Sequence, residues 1–165
     1  MSALRVVVLV LSDRCSRGER EDGSGPALQG WLQERDVEVG GIEILPDERD
    51  TVAHFLTDAC AAGRWDLILT CGGTGVSPRD VTPEATRAVV EFELPGFGEA
   101  MRRESAKVSS HAIISRATAG VRQRVLIINL PGSPRAAVEN LAAVWSAVPH
   151  AIAKIQGDPS DCGVP

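Results

Sequence analysis

Three stretches of this chain are almost unbroken runs of apolar side chains, at residues 4–11, 66–71 and 124–129. Short, valine- and isoleucine-rich runs of this kind predict strands buried on both faces of a parallel sheet. A helical period fills the intervals between them. Pro26 suits a first helical turn and is followed by Ala27, Leu28, Trp31 and Leu32. Val52, Phe55, Leu56, Ala59 and Cys60 fall at i, i+3, i+4, i+7 and i+8, which predicts an amphipathic helix over residues 51–62 closed by Gly63. Residues 37–45 favour a strand that Gly40-Gly41 weakens. Thr82-Pro83 reads as an N-cap and an N1 proline, opening a helix that runs to about Phe92. Residues 97–107 read as a helix followed by a polar connection. Ser133-Pro134 caps a long final helix that turns Val138, Leu141, Ala142, Trp145 and Val148 inward and is kinked or broken at Pro149.

Strands alternating with helices, with no repeat or linker, predict one α/β domain with helices on both faces of a mostly parallel sheet. We place that domain at residues 1–157 and expect a polar, flexible tail over residues 158–165.

Composition narrows the function more than the fold. The chain has 165 residues, 44% of them hydrophobic and 24% charged, and carries a net charge of −5. Residues 95–124 hold six Lys/Arg against two Asp/Glu, whereas residues 1–94 hold nine against seventeen. An acidic chain with one basic segment is ill suited to coating nucleic acid but suits a local anion pocket. The longest apolar run is far short of the roughly 18 residues that span a bilayer. No signal-peptide pattern opens the chain, and the four cysteines, Cys15, Cys60, Cys71 and Cys162, lack zinc spacing. A soluble cytoplasmic protein with reduced thiols is expected.

The three buried runs end in unusual turns: Ser12-Asp13-Arg14, Gly72-Gly73-Thr74-Gly75, and Asn129-Leu130-Pro131-Gly132-Ser133-Pro134. In open α/β sheets ligands lie beyond the carboxyl ends of the strands, so the three turns should share one edge. Successive glycines let backbone N–H groups line an anion nest, although a tight strand-to-helix turn explains the GGTG loop equally well. The loop matches neither a dinucleotide fingerprint nor a P-loop. Asp47 follows one strand and Asp80 follows the glycine loop. Two carboxylates beside a phosphate site would suit Mg²⁺, while simple turn and capping roles remain open. Arg102, Arg103, Lys107, Arg116, Arg122 and Arg124 form the basic segment, and most of them are expected in a solvated face or a subunit contact. His54 and His150 read as structural, and no Ser–His–Asp set assembles. Trp31, Trp65 and Trp145 read as packing residues.

The words Ser12-Asp13-Arg14, Pro46-Asp47-Glu48, Gly72-Gly73-Thr74-Gly75, Pro78-Arg79-Asp80-Val81-Thr82-Pro83-Glu84-Ala85-Thr86, Pro95-Gly96-Phe97-Gly98-Glu99 and Asn129-Leu130-Pro131-Gly132 occur in one order. Together they resemble the molybdopterin adenylyltransferase family of molybdenum-cofactor synthesis, which includes the G domain of gephyrin. The resemblance implies a three-layer α/β/α sandwich, commonly a homotrimer, that converts molybdopterin and Mg·ATP to adenylylated molybdopterin and pyrophosphate. A separate insertase would then receive the product. By motif match, Asp47 and Asp80 resemble the aspartates tied to magnesium and catalysis. Gly72, Gly73, Thr74, Gly75, Asn129, Pro131 and Gly132 resemble the nucleotide and phosphate site. Ser12, Asp13, Ser105, Ser115 and Arg116 resemble elements nearer the pterin. Hexameric paralogues share these motifs, so a non-catalytic molybdopterin-binding or carrier protein is the alternative. A phosphate monoester with a second pKa near 6 is largely ionised at neutral pH, so this chemistry needs no strong general base.

Overall fold

Alternating faces of a single, mostly parallel sheet organise the fold, seen in a computed structural model that describes residues 4–160. The chain runs through β1 (Val6–Leu11), the short α1 (Asp13–Ser16), α2 (Ser24–Gln33), β2 (Val39–Leu45) and α3 (Arg49–Ala61). It continues through β3 (Leu67–Cys71), α4 (Thr82–Val89), β4 (Phe92–Glu93) and α5 (Pro95–Ala106). A 3-10 turn (Ser110–Ile114), β5 (Ala119–Arg122) and β6 (Val125–Leu130) follow, then α6 (Pro134–Val144), a second 3-10 turn (Trp145–Ala147) and α7 (Val148–Ile155).

The six strands lie in the order β2-β1-β3-β6-β5-β4, with β2, β1, β3 and β6 mutually parallel. Only β5 pairs antiparallel to its neighbours. The chain leaves β1 toward β2 on one side and takes up β3 on the other, which makes the junction of β1 and β3 the switch point where a crevice opens. The register sets Leu11 beside Leu45, Val10 beside Cys71, and Cys71 beside Leu130. The carboxyl ends therefore finish level, and four successive turns emerge at one height.

Strand alternation divides the core into two layers. Val6, Val8 and Val10 face α2, α5, α6 and α7 through Leu28, Leu32, Met101, Leu141 and Ile152. Val7, Leu9 and Leu11 face α3 and α4 through Val52, Leu56, Ala85 and Val89. The result is the expected three-layer α/β/α sandwich. Trp31 and Trp145 meet edge to face at 5.4 Å between ring centroids, and the Arg35 guanidinium lies 3.6 Å over the Trp31 ring. These are packing contacts.

The details depart from the sequence reading in four places. Thr82 is the first helical residue of α4 and Val81 is the cap; the Thr82 hydroxyl donates to the Gly72 carbonyl at 2.8 Å and accepts no N–H of its own helix. α4 stops at Val89, since Val90 turns extended and Phe92 pairs with Val121 as an edge strand. The connection before β6 contains β5, which Gln123, at φ 54°, turns tightly into β6. α6 ends at Val144 and Pro149 lies in the first turn of α7, so the break precedes the proline, and Ala142 is exposed. After α7, Asp158 N–H still donates to the Ala153 carbonyl at 3.0 Å. Residues 161–165 of the expected tail, with Cys162, lie outside the described residues, as do residues 1–3. Among the described residues no helix is long and apolar enough to cross a membrane.

Leu9 is fully buried at the centre of the sheet. Leu9→Ala should destabilise the fold by about 2–5 kcal/mol, lowering the urea midpoint at an unchanged m-value.

Candidate active site

The end of β3 is the point where three strand ends touch. Gly72 stands at φ 109° and Gly73 at φ 64°, a left-handed path that side chains disfavour. A Cβ on Gly72 would also collide with the Leu11 carbonyl oxygen at the end of β1. From the β6 side, Gly132 approaches so closely that its own Cβ would lie 3.2 Å from the Gly72 Cα. The Gly72 N–H donates to the Leu130 carbonyl at 3.0 Å, and the Thr82 N–H to the Gly73 carbonyl at 3.1 Å. Gly72 therefore builds the turn with its amide, whereas the amides of Gly73, Thr74 and Gly75 have no acceptor among the described residues. Three free N–H groups on a glycine turn make an anion nest.

Asp47, just beyond β2, reaches the same place. Its N–H donates to the Asp13 carboxylate at 3.0 Å, and the Asp13 N–H donates back to the Asp47 carboxylate at 3.0 Å. This reciprocal pair ties the turn after β2 to α1. Arg79 adds a forked pair to Asp13, at 2.9 and 2.8 Å, across the switch point. The Asp80 carboxylate accepts the Ser77 N–H at 2.9 Å and lies so close to Gly75 that a Cβ there would be 2.9 Å from it. Asp47, Asp80, Ser12, Gly72, Gly73 and Gly132 line one polar cup of about 280 Å³, joined by Cys15, Arg20, Asp22, Ser24 and Ser133.

Charge in the cup is unevenly balanced. The Arg79 fork holds the Asp13 carboxyl below its ordinary pKa. Partial burial pushes the Asp47 carboxyl up, and the negative charges of Asp13 and Asp80 push it further, against the opposing Asp13 N–H and Arg79. Burial also lifts the Cys71 thiol to about 11, so it is a neutral donor to the Pro131 carbonyl and no nucleophile. Among the described residues no cluster of three or more His, Cys, Asp or Glu could hold a metal ion. Two crowded carboxylates beside a phosphate nest fit Mg²⁺ nonetheless, because that ion takes one or two protein carboxylates and completes its shell with water and phosphate oxygens.

A second cleft, also about 280 Å³, opens on the other side of the glycine loop. Thr74, Gly75 and Pro131 line it with Ser105 and Ser115, and its apolar walls come from Val108, Ala112, Ile114 and Ala136. The residues grouped as pterin-side thus separate, Ser105 and Ser115 going to the cleft and Ser12 to the cup, with Asp13 tied to Asp47 beside it. Two of the expected contact residues bond within the protein. Asn129 is fully buried, its amide nitrogen donating to the Thr70 and Thr86 hydroxyls at 2.9 Å each. Arg116 turns its guanidinium onto Gly75, Asp80 and Glu84. The basic segment is largely occupied by its own chain: Arg102 donates to the Ser115 and Ala117 carbonyls, and Arg122 to the Val89 carbonyl. Sequence reasoning gave no role to Arg79, which the PRD motif contains, or to Asn140, which lines the cleft with no sequence signal of its own.

Because the folded-state pKa of Asp47 lies above the unfolded one, its ionised form weakens the fold at neutral pH. That penalty fades as pH falls through the raised value toward the ordinary carboxylate pKa of about 3.9. Asp47→Asn keeps the acceptor for the Asp13 N–H, so it should raise Tm at pH 7, with the difference from wild type vanishing below about pH 4. Melting curves across that range check the sign.

Comparison with known proteins agrees with this architecture. The family described as "Probable molybdopterin binding domain" matches residues 7–150. The molybdopterin adenylyltransferase of Helicobacter pylori strain J99 is 45% identical over 161 residues, 96% of this chain and 91% of that protein. The protein of the same name from Escherichia coli K12 is 37% identical over 171 residues, 95% of this chain and 88% of that one. The solved structure of the molybdopterin biosynthesis enzyme MoaB of Thermus thermophilus superposes with a TM-score of 0.88 at 44% identity, covering 96% of this chain and 99% of that one. The matched span contains every strand-end turn that builds the cup, and the chain belongs to this molybdopterin-binding family of molybdenum-cofactor biosynthesis.

Proposed function

We propose that this protein transfers the adenylyl group of ATP to the phosphate of molybdopterin, releasing pyrophosphate, as a step in molybdenum cofactor biosynthesis. One observation carries the reading: the ends of β1, β2, β3 and β6 bring two carboxylates, Asp47 and Asp80, to a turn with three free amides. The names of the relatives support the same reaction.

A phosphate oxygen of molybdopterin attacks the α-phosphorus of ATP, a new P–O bond forms, and the bond to the bridging oxygen of pyrophosphate breaks with its electron pair. The attacking oxygen is already ionised near pH 7, so no general base is required. This suits a cup with no histidine in its lining. What the reaction does require is alignment of two anions and relief of their repulsion. Asp47 and Asp80 would hold magnesium, which, when bound, neutralises phosphate charge. The Gly73, Thr74 and Gly75 amides are disposed to receive phosphate oxygens, and donors fixed before the reaction need no reorganisation as charge develops. The apolar cleft beside Ser105 and Ser115 suits the flat pterin, with the nucleotide lying over Gly73 and Gly132. On this reading the protein acts as a homo-oligomer, a trimer with a hexamer as the alternative, and passes its product to an insertase. The exposed apolar side chains Val76, Phe92 and Ile113, which line neither the cup nor the cleft, support an assembly.

Incubation with Mg·ATP and molybdopterin should yield pyrophosphate and an adenylylated pterin. Pterin binding without pyrophosphate would identify a carrier instead. Asp80→Asn retains an acceptor for the Ser77 N–H but removes the charge, so it should cut turnover by about 10²-fold or more with an unchanged melting profile. Wild-type rates in that variant would reject the role given to Asp80.

A further inference from the structure

We infer that Arg116 is a positioning residue that fixes the Asp80 carboxylate against the glycine loop, rather than a contact to the pterin. The inference rests on the adenylylation reading, because Asp80 has a catalytic role only there.

Three bonds lead from Arg116 into the loop and a fourth into α4. Its own N–H donates to the Thr74 carbonyl at 2.8 Å. Its Nε donates to the Gly75 carbonyl at 2.6 Å and one terminal nitrogen to the Asp80 carbonyl at 2.7 Å. The other terminal nitrogen pairs with Glu84 in the first turn of α4. One planar group thus closes the loop at both ends, at Gly75 and at Asp80. Between those points the loop is held by Ser77, whose N–H reaches the Asp80 carboxylate and whose carbonyl accepts the Asp80 N–H, each at 2.9 Å, and by the Arg79 fork to Asp13.

The backbone that carries Arg116 is itself braced. Arg102 donates to the carbonyls on either side of it, Ser115 at 3.2 Å and Ala117 at 2.8 Å. Glu84 is anchored too, since α4 begins at Thr82, whose hydroxyl holds Gly72. With its donors directed at Gly75, Asp80 and Glu84, the guanidinium is engaged by its own chain while the side chain stays one-third exposed. Arg116 is also absent from the linings of both the cup and the cleft. A lysine cannot replace this fork, because a single ammonium lacks the planar spread that reaches three acceptors at once.

The experiment uses the full chain and two variants, Arg116→Lys and Glu84→Gln, with ATP, Mg²⁺ and molybdopterin. Mn²⁺ serves as a paramagnetic probe of metal binding in the presence of ATP, independently of turnover. Arg116→Lys should lower kcat by about 10²-fold, the usual effect of a catalytic group displaced by an ångström. It should weaken the Mn²⁺·ATP complex about 10-fold, as loss of an outer-shell partner does. The KM for molybdopterin should stay within about twofold, since no ground-state contact is removed. Glu84→Gln should move kcat and Mn²⁺ affinity in the same direction by a smaller factor, and it reads the inference if the lysine variant does not fold. A raised KM for molybdopterin with unchanged Mn²⁺ affinity would make Arg116 a substrate contact and overturn the proposal. Wild-type kcat and Mn²⁺ affinity in a folded variant would overturn it as well. If wild type itself forms no adenylylated pterin, the adenylylation reading fails, while the Mn²⁺ comparison still decides whether Arg116 sets the metal-binding geometry.

Discussion

The close approach of three strand ends at Gly72 is the contact on which the site depends. The Leu11 carbonyl of β1 leaves no room for a side chain there, and Gly132, arriving from β6, packs against the same Cα. A parallel sheet makes this meeting possible, because its strands finish level and point the same way. Left-handed backbone at Gly72 and Gly73 then turns the following amides out of the ladder. The nest is a by-product of the way the chain leaves β3.

Carboxylates gather around that nest against their own repulsion. Asp13 and Asp47 are held together by exchanged N–H bonds, which stabilise each carboxylate through the other's backbone. Arg79 compensates Asp13 directly but Asp47 only at a distance, and Asp47, pushed up first by its partial burial and then by its charged neighbours, is left with the raised pKa. Some stability is given up at neutral pH to keep an unbalanced negative charge in place, and a cation delivered with a nucleotide would relieve it. The same logic explains why the neighbouring cysteine is inert: Cys71 is buried among apolar side chains, where a thiolate is disfavoured.

Much of this was legible from residues alone where a local cause dominates. Runs such as Val6–Leu11 have no exposed face to hide, so continuous hydrophobicity marked them, and Ser133-Pro134 capped α6 through its own hydroxyl as expected. β4 and β5 were not legible. They are two and four residues long, β5 contains Ala119 and Gly120, and their pairing depends on β6, a partner later in the chain. Thr82 resembled a cap for the same reason: a hydroxyl before a proline is a cap unless a carbonyl from another element, here Gly72, lies closer. In the site, Asp47, Asp80 and the glycine loop were found by type and spacing, and the fold brought them together.

What the sequence determined by itself was the set of elements with strong local signals, the parallel α/β class, and the residue types the chemistry draws on. Tertiary structure decided which of those residues line the cup or the cleft. Asn129 and Arg116 sit in motif-like positions, yet one is sealed beneath α4 by two threonine hydroxyls and the other is turned onto loop carbonyls. The physical reason is that a polar side chain goes to the partner that satisfies it best, and that partner is fixed by packing between elements far apart in the chain.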